Sequence, residues 1–443
     1  MIRVAVIGYG RFGKLLSSLL AKEMHVQVYD PSQSDQSGLP NIEQVEEATA
    51  LACETIFYAV PIHAFRSTLE KHVSHFCADK MPRLIVDTLS VKSLPKKALT
   101  QLLPSHVTAI LTHPMFGPDS VREQGLHGLP VVMDQFTASH EDYAQWKSFF
   151  ERQGLKTIEL SADAHDRAAA WSQGVAHFIG RVLDDMKLAP SDIDTLGARR
   201  LLELRDQVCN DSWELFTDLQ TYNPYTIDMR VRLGKAVDAI YNRLLPNRVH
   251  SERWEVGIQG GKGSFNEQAA LYYLGRNGIK EHNLHYLYTT EAVLKALHEG
   301  KIDRGQFAVH NSLGGMVDES VEAMANYKFH IIEQFAIKIA HALMIRGDAT
   351  LETVRAIMAH PQVFRQCQRN LDEKYGRLVR VSGTGDLIDS AHAARQLADG
   401  AIDSGHAVMG PRVLAELFGL TLVEDNLQDL ADNYTSFLWV ERP

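Results

Sequence analysis

Along this chain, short apolar runs alternate with helical spacings. Residues 2–7 (IRVAVI) are an apolar, β-branched run, and Leu15, Leu16, Leu19 and Leu20 then recur on one helix face. Further runs follow at His25–Tyr29, Thr55–Val60, Leu84–Val86 and Ala109–Leu111. Continuously apolar runs of this length predict strands buried on both faces, hence a parallel sheet covered by helices. Past residue 151 the period turns helical. In HDRAAAWSQGVAHFIGRVLDDM (165–186), Trp171, Val175, Phe178, Ile179 and Val182 form an apolar stripe. Gln173, His177 and Arg181, at i, i+4 and i+8, lie roughly opposite it, and Ser172, Ala176 and Gly180 make a small-residue row suited to close helix packing. The helical pattern continues to Leu245. A polar hinge, LLPNRVHSERW, precedes EVGIQGGKGSFNEQAA, where strand, glycine turn and helix begin again.

The turns carry the chemistry. Gly8, Gly10 and Gly13 form G-x-G-x-x-G around Arg11 and Phe12, between the first strand and the first helix. Gly8 permits a tight turn, Gly10 lets backbone approach a pyrophosphate, and Gly13 lets the helix pack on the strand. The helix N-terminus adds free N–H groups. Asp30, 22 residues after Gly8, suits a ribose hydroxyl and repels a 2′-phosphate. Pro31–Asp35 hold no Arg or Lys, so NAD is expected over NADP. These features predict a Rossmann domain over 1–150, an all-α segment over 151–247 and a second α/β region over 253–443.

In an open α/β sheet, ligands sit at the carboxyl ends of the strands. There the sequence places Ser90, in DTLSVKSLP, and His113, in THPMFGP. Both are candidates to face a nicotinamide. Ser90 also reads as a helix N-cap and His113 as a turn histidine bonded to backbone, and Gln173-His177-Arg181 reads as a solvated face or as a cleft wall. His72, His75 and Cys77 have metal-like spacing, but zinc wants about four ligands and no further cluster is near; a polar helix face, with no metal, is expected.

Composition narrows the class. The chain has 443 residues, 45% of them apolar, enough for two or three packed domains. A net charge of −10 argues against a nucleic-acid partner and means that an anionic substrate needs local cations. Cys53, Cys77, Cys209 and Cys367 are scattered without a CxxC, as in reduced, cytoplasmic proteins. No apolar run nears the roughly 20 residues of a membrane span, and the first strand opens the chain, so neither membrane partner nor signal peptide is expected.

Together, G-x-G-x-x-G at 8–13, D-x-x-S-V-K at 87–92, T-H-P-M-F-G-P at 112–118, G-L-P at 128–130, H-D-x-x-A-A-x-S-Q at 165–173 with His177, and NDSWELFTDLQTYNP at 210–224 resemble the arogenate/prephenate dehydrogenase family, nearer its plant arogenate branch. The resemblance implies NAD-dependent oxidative decarboxylation of a cyclohexadienyl acid by a homodimer joined through the helical segment. His113 would contact the ring hydroxyl and accept its proton. Ser90 would hold the same hydroxyl or orient His113, and Gln173 and His177 would hold the substrate's far end. Where prephenate-specific relatives carry an arginine this chain has Gln207, with Arg205 out of register; Asp211 falls where arogenate-type enzymes carry an acid. The lean is to arogenate. Asp30 departs from the NADP preference of plant relatives.

The last segment is similar to prephenate dehydratases, through Gly260-Gly261-x-Gly263-Ser264-Phe265, VHNSLGGMV (309–317), AHPQVFRQC (359–367) and DNLQD…NYTSF (425–437). This implies two α/β lobes around a cleft, like a small periplasmic-type binding fold, with Asn311 and Ser312 binding substrate and Thr435 assisting loss of water. The family's E-N-S glutamate is His310 here, and its T-R-F arginine, expected to meet a substrate carboxylate, is Ser436. Bifunctional dehydrogenase–dehydratase, non-catalytic ligand-sensing module and altered chemistry on a prephenate-like ring are the three readings of this segment. A nucleotide-sensing protein without turnover is the rival for the whole.

Overall fold

The computed structural model describes residues 2–32, 38–382 and 389–443, in two compact units, Met1–Lys235 and Ala236–Pro443. Gln33, Ser34 and Asp35, part of the ribose-loop reading, lie outside the described residues.

The first unit is built on eight strands: β1 (Arg3–Ile7), β2 (His25–Tyr29), β3 (Ile42–Gln44), β4 (Thr55–Tyr58), β5 (Arg83–Asp87), β6 (Val107–Pro114), β7 (Pro130–Asp134) and β8 (Lys156–Glu159). Their order is β3-β2-β1-β4-β5-β6-β7-β8, with only β6 and β7 antiparallel. The first six follow the doubly wound dinucleotide-binding order, whose crevice opens where the winding reverses, between β1 and β4. Helices cover both faces. Trp146, Phe149 and Phe150 pack beneath one face with Phe57, and Phe65, Leu69 and Phe76 pack beneath the other with Tyr58. The sheet runs on past residue 150 in β8, whose four residues, the outer two exposed and the inner two half-buried, are too few and too polar to read from their pattern.

Helices dominate from Ala162 onward, and the 165–186 stretch departs from the regular helix expected. Ala170–Gly174 is a π turn, one residue wider than an α turn. In the helix after it, Val175–Asp185, the buried residues are His177 and Gly180. Trp171 and Val182, from the apolar stripe, stay 47% and 38% exposed. Gly180 does what the small-residue row predicts: a Cβ there would collide with Val208 of the helix Leu196–Cys209.

The second unit has two sheets. In one, Trp254–Ile258 pairs with His282–Tyr286 and Arg304–Asn311, and the last strand, Tyr434–Glu441, lies between Arg304–Asn311 and His330–Lys338. In the other, Ala342–Ile345 lies between Thr421–Glu424 and His406–Gly410, followed by Ala356–Met358 and Val379–Val381. The chain thus crosses to the second lobe and returns, giving the two-lobed α/β architecture expected. Among the described residues no helix is long and apolar enough to cross a membrane.

Candidate functional site

The loop after β1 is shaped by its glycines. Gly8 sits at φ +97°, and a Cβ on it would stand 2.5 Å from the Ala59 carbonyl oxygen after β4. A Cβ on Gly13 would collide with the Gly8 carbonyl oxygen, whereas one on Gly10 would meet nothing within 4 Å. Gly10 begins the helix Arg11–Leu20 with no side-chain cap, leaving first-turn amides available to an anion. Asp30 Oδ2 accepts the Tyr9 N–H at 2.7 Å, and its Oδ1 accepts the Ser32 N–H and hydroxyl, each at 2.8 Å. Asp30 follows β2 and is bonded to Tyr9 of the glycine loop, the position expected of a ribose-binding acid. These residues fit a dinucleotide. Phe12 lies against Phe116, ring centroids 6.4 Å apart. Arg11 is otherwise engaged: its guanidinium meets Asp119 at 2.5 Å and Asp211 at 3.6 Å, so its charge is largely matched by carboxylates and not offered to a phosphate.

β5 and β6 are parallel neighbours, with Asp87 opposite Leu111, so the loops bearing Ser90 and His113 leave the same sheet edge. Ser90 is not the N-cap of the next helix, Ser93–Leu102; that position is Lys92. Among the described residues no hydrogen bond joins Ser90 to His113. Among those residues the His113 side chain is not bonded to backbone either. Its Nδ1 lies 2.8 Å from Nε2 of His165, whose Nδ1 lies 2.8 Å from Asp166 Oδ1. His113, His165 and Asp166 are all buried. Burial, then the neighbouring His165 and Lys92, push the His113 imidazole well below its ordinary pKa, so it is neutral at neutral pH. The Lys92 ammonium, itself buried, bridges Asp87 Oδ1 and the Thr112 carbonyl at 2.5 Å each, and Asp87 also accepts the Leu89 and Thr112 N–H groups. Burial drives the Asp87 carboxyl up and the Lys92 ammonium down, and each opposes the other's loss of charge. This pair clamps the backbone immediately before His113.

The Gln173-His177-Arg181 row is not a solvated face. Gln173 is half-buried in the π turn, and His177 is buried, its Nδ1 lacking a partner among the described residues. Burial lowers the His177 pKa, against the opposing pull of Asp211. Arg181 donates to the Asp211 carbonyl at 2.6 Å and lies over the rings of Trp213 and Phe216. Arg205 is tied to Asp206 and the Leu188 carbonyl, and Gln207 is exposed. The cation close to His177 is therefore Arg181.

The second unit encloses a cavity of about 660 Å³, lined from one lobe by Asn311, Thr435 and Phe437 and from the other by His341, Gln362 and Asp389. Asn311 Oδ1 accepts the Leu313 and Gly314 N–H groups, so its amide nitrogen is the donor to Asn433 Oδ1 (2.7 Å) and Thr435 Oγ1 (2.9 Å). Asn433 Nδ2 then donates to Gln366 Oε1, which also accepts from His341 Nε2 at 2.7 Å. Burial takes the His341 pKa down to about 4. Two expectations change here. Ser312 is exposed and outside the lining, because its hydroxyl bonds Asn433 and the Tyr434 N–H instead. His310 and Ser436 are also outside the lining: they face one another across the strand pair, while strand alternation turns Thr435 and Phe437 inward. The residue at 436 is thus not positioned to meet a ligand carboxylate in the cavity.

Sequence reasoning passed over His165 and Asp166 except as motif spacing, and passed over His341 altogether. An His-Asp pair opening a helix was the available signal for the first two; His341 stands in no motif.

The description "Prephenate dehydrogenase, nucleotide-binding domain" matches residues 22–159, "TYRAAT1-like, C-terminal domain" residues 182–255, and "Prephenate dehydratase" residues 256–443. Arogenate dehydrogenase 2, chloroplastic, of Arabidopsis thaliana is 32% identical over 262 residues, covering 57% of this chain and 72% of that protein. Arogenate dehydrogenase 1, chloroplastic, of the same plant is 33% identical over 259 residues, 56% of this chain and 40% of that protein. Arogenate dehydratase/prephenate dehydratase 2, chloroplastic, also from Arabidopsis thaliana, is 28% identical over 202 residues, 45% of this chain and 50% of that protein. The chain thus spans about half or less of two of these three relatives. The chain belongs to the arogenate/prephenate dehydrogenase family and carries, fused to it from residue 256, a prephenate dehydratase region.

Proposed function

We propose that the first unit oxidises and decarboxylates a cyclohexadienyl acid, arogenate in preference to prephenate, and that the second dehydrates a related ring. The observation that carries this reading is His113: a neutral imidazole at the carboxyl edge of the sheet, one strand beyond the loop of Ser90. Bound over Gly8–Gly13, a nicotinamide dinucleotide supplies the hydride acceptor. His113 accepts the ring-hydroxyl proton as the carbonyl forms. Ser90 offers a half-buried hydroxyl at the same edge, and Gln173 and His177 contact the substrate's far end. Arg181 is the cation nearest His177 for a carboxylate, and the Asp211 carboxylate suits an ammonium group, which favours arogenate. Asp30 favours NAD over NADP. A cytoplasmic homodimer through the helical segment, domains near 1–150, 151–247 and 253–443, and a dehydratase centred on Asn311 and Thr435 complete the reading.

Assays with prephenate and arogenate, each with NAD and with NADP, test substrate and cofactor together; arogenate with NAD is expected to be fastest. His113→Asn is expected to leave NAD affinity nearly intact and lower turnover by roughly 100-fold or more. Unchanged turnover would remove His113 from the chemistry and favour a nucleotide sensor.

A further inference from the structure

Two groups behind His113, His165 and Asp166, have no part in that chemistry, yet they continue a hydrogen-bonded chain from its ring. Asp166 Oδ1 accepts the Lys92 N–H and Oδ2 the Ser93 N–H, each at 2.7 Å. Burial works against its charge, but the bonds from His165, Ser93 and Lys92 outweigh it and hold the carboxyl below its ordinary range. Asp166 is therefore an acceptor, and the hydrogen in its 2.8 Å contact with His165 belongs to His165 Nδ1. In the arrangement with a single hydrogen on His165, its Nε2 is bare; that atom lies 2.8 Å from His113 Nδ1, which then supplies the hydrogen between the rings. In that arrangement neutral His113 carries its lone pair on Nε2, for which no hydrogen bond is found among the described residues.

We propose that His165 and Asp166 form a proton store behind His113: as His113 Nε2 takes the ring-hydroxyl proton, the Nδ1 proton of His113 passes to His165 Nε2, and the positive charge comes to rest beside the Asp166 carboxylate. The proposal rests on the reading of His113 as the base. In the forward step the C4–H electron pair leaves as hydride to the nicotinamide, the O–H proton goes to His113, and the C4–O bond becomes a carbonyl. Loss of CO₂ returns the electron pair of the C1–carboxylate bond to the ring. The resulting phenolate oxygen recovers the stored proton by the same route. The sum neither consumes nor releases a proton, so the chemistry needs a store and not a path to solvent.

His113 alone is a poor holder of charge. The groups facing it are His165, with Asp166 behind it on the helix Ala162–Ala169, and Lys92, whose charge is matched by Asp87 on β5. Asp166 is the anion in this set whose charge is not already matched by an ammonium. His165 acts through His113, and so is a positioning residue.

His165→Gln and Asp166→Asn in the full-length enzyme test this. Turnover is expected to fall roughly 10- to 100-fold in each, with the substrate KM and the NAD Kd within about twofold of wild type. In Asp166→Asn the acid limb of the kcat/KM profile should move to lower pH, because loss of the anion weakens the proton's hold on the pair. ¹⁵N-imidazole NMR of the ligand-free wild type should show His113 protonated at Nδ1 and bare at Nε2. Turnover within twofold with an unmoved acid limb in both variants, or a His113 proton on Nε2, overturns the proposal. Asp166→Asn also disturbs the Lys92 and Ser93 caps; should it fail to fold, His165→Gln carries the test. Failure of the wild type to oxidise any cyclohexadienyl acid defeats the functional reading instead, and the NMR result still decides the proton arrangement.

Discussion

At the scale of single residues, the first unit uses buried charge to hold one histidine in place. Lys92 and Asp87 are both fully buried, and between them they satisfy the Thr112 carbonyl, the Thr112 N–H and the Leu89 N–H. A buried ion pair adds little net stability over an apolar pair of the same size, but removing one partner strands the other charge. Lys92→Met is therefore expected to cost about 3–5 kcal/mol in denaturant unfolding. The double substitution Asp87→Leu/Lys92→Met should recover much of that loss while leaving turnover low, since β6 then loses its clamp before His113. If Lys92→Met unfolds like wild type, the pair is not what holds this loop. The sequence made Lys92 visible, as the last residue of D-x-x-S-V-K, but not its work: a lysine in a polar loop reads as solvated, and only the fold shows it sealed beneath the sheet edge.

At the scale of elements, legibility follows how local the cause is. The strand–loop–helix of residues 3–20 could be read from sequence because each glycine has a short-range reason, and the structure separates those reasons. At Gly13 a side chain would strike the Gly8 carbonyl; at Gly10 it would enter open space. Gly13→Ala should thus lower thermal stability markedly. Gly10→Ala should leave the melting temperature nearly unchanged but weaken NAD binding by about tenfold or more, because its Cβ occupies the room a pyrophosphate needs. Calorimetry with and without NAD distinguishes the two; equal affinity in Gly10→Ala would remove this loop from cofactor binding. The π turn at Ala170–Gly174 lay beyond sequence reasoning. An extra residue in a helix leaves composition and apolar spacing almost intact, yet it turns everything after it by about 100°, which is how the polar His177 comes to be buried and Val182 exposed.

At the scale of the whole molecule, two family regions share one chain, and in the second the two positions where the resemblance implies a glutamate and an arginine form one feature. His310 and Ser436 are directly opposed across antiparallel strands. A glutamate and an arginine at that register would face each other as an ion pair. Replacing both leaves no charge stranded, and neither position lines the cavity. The groups that do line it keep a consistent proton arrangement. Thr435 Oγ1 accepts from Asn311, and a hydroxyl has one donor and two acceptor positions. Its own O–H is therefore left to donate, as a departing hydroxide requires. Thr435→Val keeps the shape, and the Asn311 amide retains Asn433 and the Tyr434 carbonyl as acceptors. In the full-length protein this substitution is expected to lower dehydration of prephenate or arogenate by roughly 100-fold while leaving the dehydrogenase rate within about twofold, and His113→Asn should do the reverse. A wild-type chain that forms no dehydrated product, but whose dehydrogenase kinetics respond to a ligand and lose that response in Thr435→Val, would instead make the cavity a sensor. The two outcomes differ in whether the ligand is consumed, which one chromatogram of the reaction mixture reads directly.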